Sequence, residues 1–372
     1  MLAQRTRTAL RLLKEPSKFY TVCIEKGLGR KGSYYFYSSI TKRLVYRYKL
    51  FLHRKPAIER PVSLNEKIQW TKKYCPDVKR MAVLADKYLS AQYAAEHIDS
   101  KHIVPTLYYG DDFTAESLRE LAMQQRIVIK TTHQSGQVVD VENPELIDWD
   151  KLVTVLKNNL KWPYSMVGQE PWYGHVAPAI IVQPFLRSHS GNECLDDAKF
   201  HIFNRQDGTQ FVLAWIVNQK EKWAISFDQE GNVIDHDLLT ARYLRPKEVP
   251  ELPDYWDAML KDALCLSQGF GFVRIDFMMA SDTYYFAEFT FAPNGGYLSM
   301  EPQFWDEKLG SFWDLDTGTM KERLLWFWKA WGPLWRTERP MRNILRLYRF
   351  RSEWAYINES MYLKSADSVD AN

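Results

Sequence analysis

A chain of 372 residues, 46% apolar and 26% charged, is long enough for two or three packed subdomains around a real core. A formal net charge of +3 gives no case for nucleic acid as a partner, although basic residues crowd both ends. The four cysteines, Cys23, Cys75, Cys194 and Cys265, have no CxxC spacing and no clustering with histidines, which excludes a zinc site or a disulfide framework and fits a reducing compartment.

The amino-terminal residues 1–60 read as helical and basic, with Arg5, Arg7, Arg11, Lys14, Arg43, Arg47, Arg54 and Lys55. The opening string "MLAQRTRTALRLLKEP" has no uninterrupted apolar stretch and no small-residue cleavage site, so it does not read as a secretion signal. Pro56 and Pro61 mark a break. Ser63 followed by Glu66 is a capping-box pattern that starts a helix over "SLNEKIQW". A second helix is predicted over "VKRMAVLADKYLSAQYAAEHI", where Met81, Leu84, Tyr88, Ala91 and Ala95 recur at helical spacing. "TLYYG" and the β-branched "RIVIK" are predicted strands, and "NPELIDWDKLVTVLKNNL" a capped helix. "PAIIVQPFL" is a buried strand that ends at Pro184.

"AKFHIFN", "TQFVLAWIVNQ" and "KWAISFD" are strands separated by the turn signals "QDG" and "QEGN". "YWDAMLKDALCLSQGF" is a helix stopped by Gly269 and Gly271, and two further strands follow in "FVRIDFMMASDTYYFAEFTFAPNGG". From about residue 319 the chain reads as helix again, rich in Trp and Arg; its longest aromatic run is broken by Lys329 and Pro333. The order of elements gives an α+β chain with antiparallel pairing in its second half.

Chemistry concentrates in a few places. If the last two strands form a hairpin around "ASDT", alternation puts Arg274 and Asp276 on one face, beside Glu288 and Thr290 of the partner. Acids among so many apolar neighbours are costly unless they bind something, and Mg²⁺ needs only a few carboxylates with phosphate oxygens and water for the rest. The plainer alternative is a structural Arg274–Glu288 ion pair with Asp276 solvated. Lys130 ends a strand and leads into Thr131, Thr132, His133, Gln134, Ser135 and Gly136, a small polar loop whose backbone N–H groups can approach phosphate. It is neither a P-loop nor a dinucleotide fingerprint. Taken singly, this loop is a plain turn, Lys87 a solvated helix lysine, His133 a turn histidine, and Lys199 and Asp197 strand residues facing cleft or solvent.

The order of the pieces is more specific than any piece. The strings "SLNEKIQWTKKY", "LADKY", "VIKTTHQSG", "DAKFHIFN", "FVRIDF" and "YFAEFTFAPNGG" resemble the ATP-grasp superfamily, in particular its teichuronopeptide-biosynthesis (TupA-like) branch, over about residues 61–310. The resemblance implies two α/β lobes that clasp a nucleotide, with extra helical segments at both ends. It divides the chain into a basic segment 1–60, an amino-terminal lobe 61–125, a lid subdomain 126–190, a metal-bearing lobe 191–315 and a helical segment 316–372.

It also implies roles. Lys87 and Lys130 would contact the phosphates of ATP, and His133, Ser135 and Gly136 would form the closing loop. Gln183, Phe185 and Leu186 would hold adenine, through the carbonyl of Gln183 or Pro184 and the N–H of Phe185 or Leu186. Asp276 and Glu288 would ligate one or a pair of Mg²⁺ ions, with Thr290 where an asparagine is usual and Asn294 as its substitute. Arg274 would stabilise an oxyanion, assisted by Lys199. Two departures stand out: Gln134 replaces a glycine of the loop and stiffens it, and Gln183 replaces a linker acid.

The implied reaction is carboxylate–amine ligation, with a uronic acid-containing or lipid-linked glycan and a free amino acid as partners. The alternatives are a glycosyltransferase or sugar or lipid kinase of the same pathway, and a non-catalytic assembly protein. The expected location is the cytoplasm, with peripheral contact at the inner face of the cytoplasmic membrane through the basic and aromatic ends. The same ends are candidates for a homodimer contact.

Overall fold

The computed structural model describes residues 29–186, 195–234, 243–280, 282–300 and 304–337. Helix α1 runs Gly29–Leu52, so the basic string that opens the chain lies outside the described residues, as does everything after Thr337. The chain divides into two compact units, Met1–Arg43 with Gly332–Asn372, and Leu44–Trp331. Of the first unit, the beginning of α1 and the last turns of the final helix are described. The second holds both sheets.

In the second unit α2 covers Leu64–Tyr74 and starts where the capping box predicts: Ser63 accepts from the Glu66 N–H and the Glu66 carboxylate accepts from the Ser63 N–H. The single helix predicted over 78–98 is two, α3 Val78–Ala85 and α4 Lys87–Ala95. Asp86 breaks it. Its backbone is extended and its carboxylate caps α4 by accepting from Tyr88 and Leu89 N–H at 2.8 and 2.9 Å. Helical spacing alone cannot reveal such a break, because the apolar positions stay nearly in phase across it.

Strands β1 Tyr108–Gly110, β2 Ile127–Thr131, β3 Val138–Val141 and β4 Ile180–Pro184 form an antiparallel sheet in the order β1-β4-β2-β3. Helices α5 Ala115–Gln124 and α6 Trp149–Asn159 pack together, and the short α7 Tyr164–Gly168 leads toward β4. The predicted capped helix begins only at Trp149, capped by Asp148, because Pro144 opens a separate 3₁₀ turn, Pro144–Leu146.

The second sheet is also antiparallel, in the order β7-β6-β5-β8-β9: β5 Asp196–Asn204, β6 Gln210–Asn218, β7 Trp223–Phe227, β8 Phe272–Met279 and β9 Tyr284–Thr290. Its alternation is sharp. Ala198, Phe200 and Ile202 of β5 pair with Phe277, Ile275 and Val273 of β8, all fully buried. They face helix α8, Trp256–Leu266, with the Phe200 and Trp256 rings 5.2 Å apart. Each such side chain contributes roughly 1.5–3 kcal/mol by leaving water. The other face of the same strands carries Lys199, His201, Arg274 and Asp276.

Helix α9, Phe304–Ser311, packs on α2. A Cβ on Gly310 would stand 2.2 Å from the Val62 carbonyl oxygen, so only glycine permits this approach. Asn65 ties α2 to the same region, accepting from the Leu298 N–H at 2.9 Å while its own N–H donates to Asp306 at 2.8 Å. Helix α10 spans Met320–Thr337 with Pro333 inside it. Among the described residues no helix is long and apolar enough to cross a membrane.

Candidate functional site

The polar face of the second sheet is the base of the site. Asp276 stands directly opposite Glu288, and Arg274 opposite Thr290, in the β8–β9 ladder. The hairpin therefore has the predicted facing. It also has a bulge that the sequence did not announce: after the Asp276–Glu288 pair the register jumps to Phe277–Phe286, leaving Ala287 as the extra residue. The bulge lets Phe286 and Glu288 both meet their intended surroundings, one apolar and one polar.

Arg274 is bound to Asp276 by two parallel bonds, Nε and Nη2 to Oδ1 and Oδ2, each 2.6 Å. The structural ion pair weighed from sequence thus exists, but its main acid is Asp276, which is buried; Glu288 lies 3.5 Å from Arg274 Nη2 and is 32% exposed. Lys199, across the β5–β8 ladder, donates to Asp276 at 3.1 Å and to Asp197 at 3.0 Å. Burial alone would raise the Asp276 pKa, but Arg274 and then Lys199 outweigh it and hold it below the ordinary value. Burial likewise opposes the charge of Lys199, and Asp276 and Asp197 raise it instead. His201 faces the same cluster and burial, followed by the Arg274 charge, pushes it down to about 3, so it stays neutral.

Thr290 takes a positioning part. Its hydroxyl donates to Glu288 Oε1 at 2.9 Å and accepts from Arg274 Nη2 at 3.1 Å. Asn294 is not gathered in. It is exposed on the Pro293–Gly296 turn with φ 49°, and no hydrogen bond joins it to Asp276 or Glu288. Gln69 and Lys72 of α2 hold the neighbouring Gly295 carbonyl at 3.0 and 2.9 Å.

The first sheet brings the lysines. Ile127, Ile129 and Thr131 of β2 face the core, so Lys130 points the other way and donates to Gln183 Oε1, its diagonal neighbour on β4, at 3.2 Å. Burial, helped by the charge of Lys87, pushes Lys130 down to about 8. Helix α4 carries Lys87 at its first position and spans the two sheets: Tyr88 stacks on Tyr109 of β1 at 3.9 Å, and Tyr93 meets Phe289 of β9 at 5.8 Å. Lys87 donates to the Gln134 carbonyl, and burial lowers its pKa against the pull of Glu288.

The polar loop is the turn between β2 and β3. His133 and Gln134 are buried roots, and Ser135 and Gly136 are the exposed tip. Burial, then Lys87, pushes His133 down to about 4, which keeps its ring neutral. Gly136 has φ 80°, a left-handed conformation that favours glycine.

In the linker, the Phe185 N–H donates to the Arg126 carbonyl at 3.0 Å and is spent. Ladder alternation then turns the Gln183 carbonyl inward onto Val128. The predicted adenine contacts narrow to the Pro184 carbonyl and the Leu186 N–H. The Phe185 ring is covered by the Arg126 guanidinium at 3.7 Å.

Sequence reading missed a third group. Tyr164, which opens α7, Glu170 and Tyr173, between α7 and β4, and Arg47 and Lys72 feel one another or Glu288 electrostatically. Lys72 lies in the string "SLNEKIQWTKKY", which carries the resemblance, yet nothing local separates it from Lys73.

The donor set fits Mg²⁺ in kind: two carboxylates opposed across a ladder, Glu288 partly exposed. Among the described residues no three His, Cys, Asp or Glu side chains gather to enclose a metal by themselves. A site that shares its metal with a nucleotide needs no third one.

Three comparisons bear on the chain. No curated protein sequence matches it. Among solved structures, D-alanine–D-alanine ligase from Bacillus anthracis is similar over 66% of this chain and 69% of that one, at 17% identity and TM-score 0.36. D-alanine–D-alanine ligase from Helicobacter pylori is similar over 62% of this chain and 61% of that one, at 13% identity and TM-score 0.34. The macrocyclase MdnB from Microcystis aeruginosa is similar over 80% and 66%, at 15% identity and TM-score 0.29. These scores are too low to bear on activity. The profile of the TupA-like ATP-grasp family matches residues 66–313, which takes in most of α2, both sheets and every site residue predicted from the sequence, and the chain is a member of that family.

Proposed function

We propose that the chain is an ATP- and Mg²⁺-dependent carboxylate–amine ligase of bacterial surface polysaccharide biosynthesis. It activates a hexuronic acid carboxylate as an acyl phosphate and joins it to an amino-acid amine as an amide. The observation that carries the reading is that Lys87, at the start of α4, and Lys130, on the first sheet, both lie within electrostatic reach of Glu288 on the second. Cations suited to phosphate and an acid suited to a metal therefore act on one another. The glycan rests on the resemblance to the teichuronopeptide-biosynthesis branch.

When bound, Mg·ATP supplies the phosphoryl group that activates the carboxylate. The chain's part is positioning and charge. Asp276 and Glu288 would hold the metal, Lys87 and Lys130 the phosphates, and Ser135 and Gly136 would offer backbone N–H groups from the loop tip. Leu186 and the Pro184 carbonyl would orient adenine. Arg274 spends Nε and Nη2 on Asp276 and keeps Nη1 for the oxyanion that forms when the amine attacks.

The test is a product assay. Mg·ATP, an amino-acid mixture and a uronic acid-containing glycan are supplied, and ADP and product mass are followed. A ligase releases ADP only with both partners and adds an amino-acid residue with loss of water. Addition of phosphate alone would make the chain a kinase, and no turnover would leave a binding protein.

A further inference from the structure

Arg126 carries no part in the nucleotide and metal assignments above. It stands just ahead of β2, and alternation puts it on the face of Val128 and Lys130, opposite the buried Ile127 and Ile129. On that face acids hold its guanidinium at three nitrogens. Nε and Nη2 donate to the two oxygens of Asp140, the β3 partner of Val128, at 2.9 and 2.6 Å, and Nη1 donates to Glu142 at 3.3 Å. So held, the planar fork has one orientation.

What the guanidinium covers is the linker. Its carbon lies 3.7 Å from the centre of the Phe185 ring, and the Arg126 carbonyl accepts from the Phe185 N–H at 3.0 Å. One residue thus holds both the main chain and the side chain of Phe185. The linker needs such a hold. The last register pair of β4 with β1 is Val182 with Tyr108, so among the described residues only β2 pairs with Gln183 and Pro184. Pro184 has no N–H of its own to give. On either side of Phe185 come the Pro184 carbonyl and the Leu186 N–H, the two main-chain groups left for adenine.

Main-chain groups read a base well only where the chain is already fixed, because a loose strand end must be ordered on binding and that ordering weakens affinity. We propose that Arg126 is a positioning residue for the nucleobase, which holds the Pro184 carbonyl and the Leu186 N–H in place through Phe185 and so sets the strength and selectivity of adenine binding. The inference rests on the nucleotide site of the ligase reading and adds to it a residue that acts through Phe185. Asp140 shares the task by fixing the guanidinium over the ring. Lysine cannot replace Arg126, since an ammonium has neither a planar face for the ring nor a fork for Asp140. One face of β2 then serves both ends of the nucleotide, Lys130 the phosphates and Arg126 the base.

Calorimetry on the full chain with Mg²⁺ tests it. The probes are a non-hydrolysable ATP analogue, its GTP counterpart, and inorganic tripolyphosphate, which offers the phosphates without a base. Arg126→Lys should weaken the ATP analogue by about tenfold, narrow its advantage over the GTP analogue, and leave tripolyphosphate within about twofold. Phe185→Leu, which keeps the N–H and loses the ring, should do the same and serves if Arg126→Lys does not fold. In the double variant the loss should stay within about twofold of that in Phe185→Leu alone, since both changes break one contact. Unchanged ATP-analogue affinity in the single variants, an equal loss for tripolyphosphate or for the GTP analogue, or losses that multiply in the double variant would overturn the positioning role alone. Failure of the wild-type chain to bind the ATP analogue would overturn the ligase reading and this inference with it.

Discussion

Asp276 and Glu288 face each other, but their surroundings predict different costs of removal. Asp276 is buried between Arg274 and Lys199, and neutralising it takes the main anion from Arg274 and one of two from Lys199. Asp276→Asn should lower stability by about 3 kcal/mol, whereas Glu288→Gln, partly exposed, should change it by less than about 1 kcal/mol. Both should cut turnover by roughly a hundredfold or more, and full activity in both would refute the metal assignment. Urea melts and ADP release separate the two effects. Lys130 gives a pH prediction. It titrates near 10.5 in an unfolded chain and at about 8 when folded. Between those values the unfolded chain holds a proton that the folded one has released, so this group's contribution to stability rises with pH across that window. Nucleotide affinity runs the other way. Phosphate needs the charged lysine, so affinity should fall above pH about 8, by up to about tenfold per unit, and Lys130→Arg should abolish the fall. Titration of a nucleotide analogue from pH 7 to 9.5 measures it; a flat profile in the wild-type chain would count against Lys130 as the phosphate ligand.

At the scale of elements, placement is what matters. Helix α2 is fixed by its capping box, by Asn65 and by the close approach of Gly310. Gly310→Ala should force α9 off α2, at a cost of about 3 kcal/mol or more, and lower the melting temperature with no change in metal ligands. A variant as stable as the wild type would show that the contact yields easily. The ladder shows why some readings succeeded. Period-two alternation on β8 and β9 sets which side chains share a face, so Arg274, Asp276, Glu288 and Thr290 were legible as a group. The break at Asp86 and the bulge at Ala287 were not. Each is a one-residue irregularity in an otherwise regular pattern, chosen by packing. Asn294 is close in sequence to Thr290, yet it stands exposed on a turn whose Gly295 carbonyl accepts two hydrogen bonds from α2.

For the whole molecule, Lys130 of one antiparallel sheet feels Glu288 of the other, and helix α4 links the sheets through Tyr88 and Tyr93. A ligand that holds both sheets stabilises the folded state by mass action. At a hundred times its Kd, a non-hydrolysable ATP analogue with Mg²⁺ should add about 2.7 kcal/mol and raise the melting temperature by several degrees. Replacing both Lys87 and Lys130 by Met should remove the shift, and its persistence would move the phosphate site elsewhere. By itself the sequence determined the strand faces, the capped start of α2, the order of lysines and acids, and through that order the family. These are local or one-dimensional properties, set by alternation, capping and motif spacing. Only the tertiary structure decided that Asp276 is the acid Arg274 holds, that the Phe185 N–H is spent on Arg126, and that Glu170 is buried where Lys72 and Arg47 act on its charge. Those residues are more than a hundred positions apart in part, and which charges meet depends on how helices and sheets pack, a choice made by burial of the apolar faces behind them.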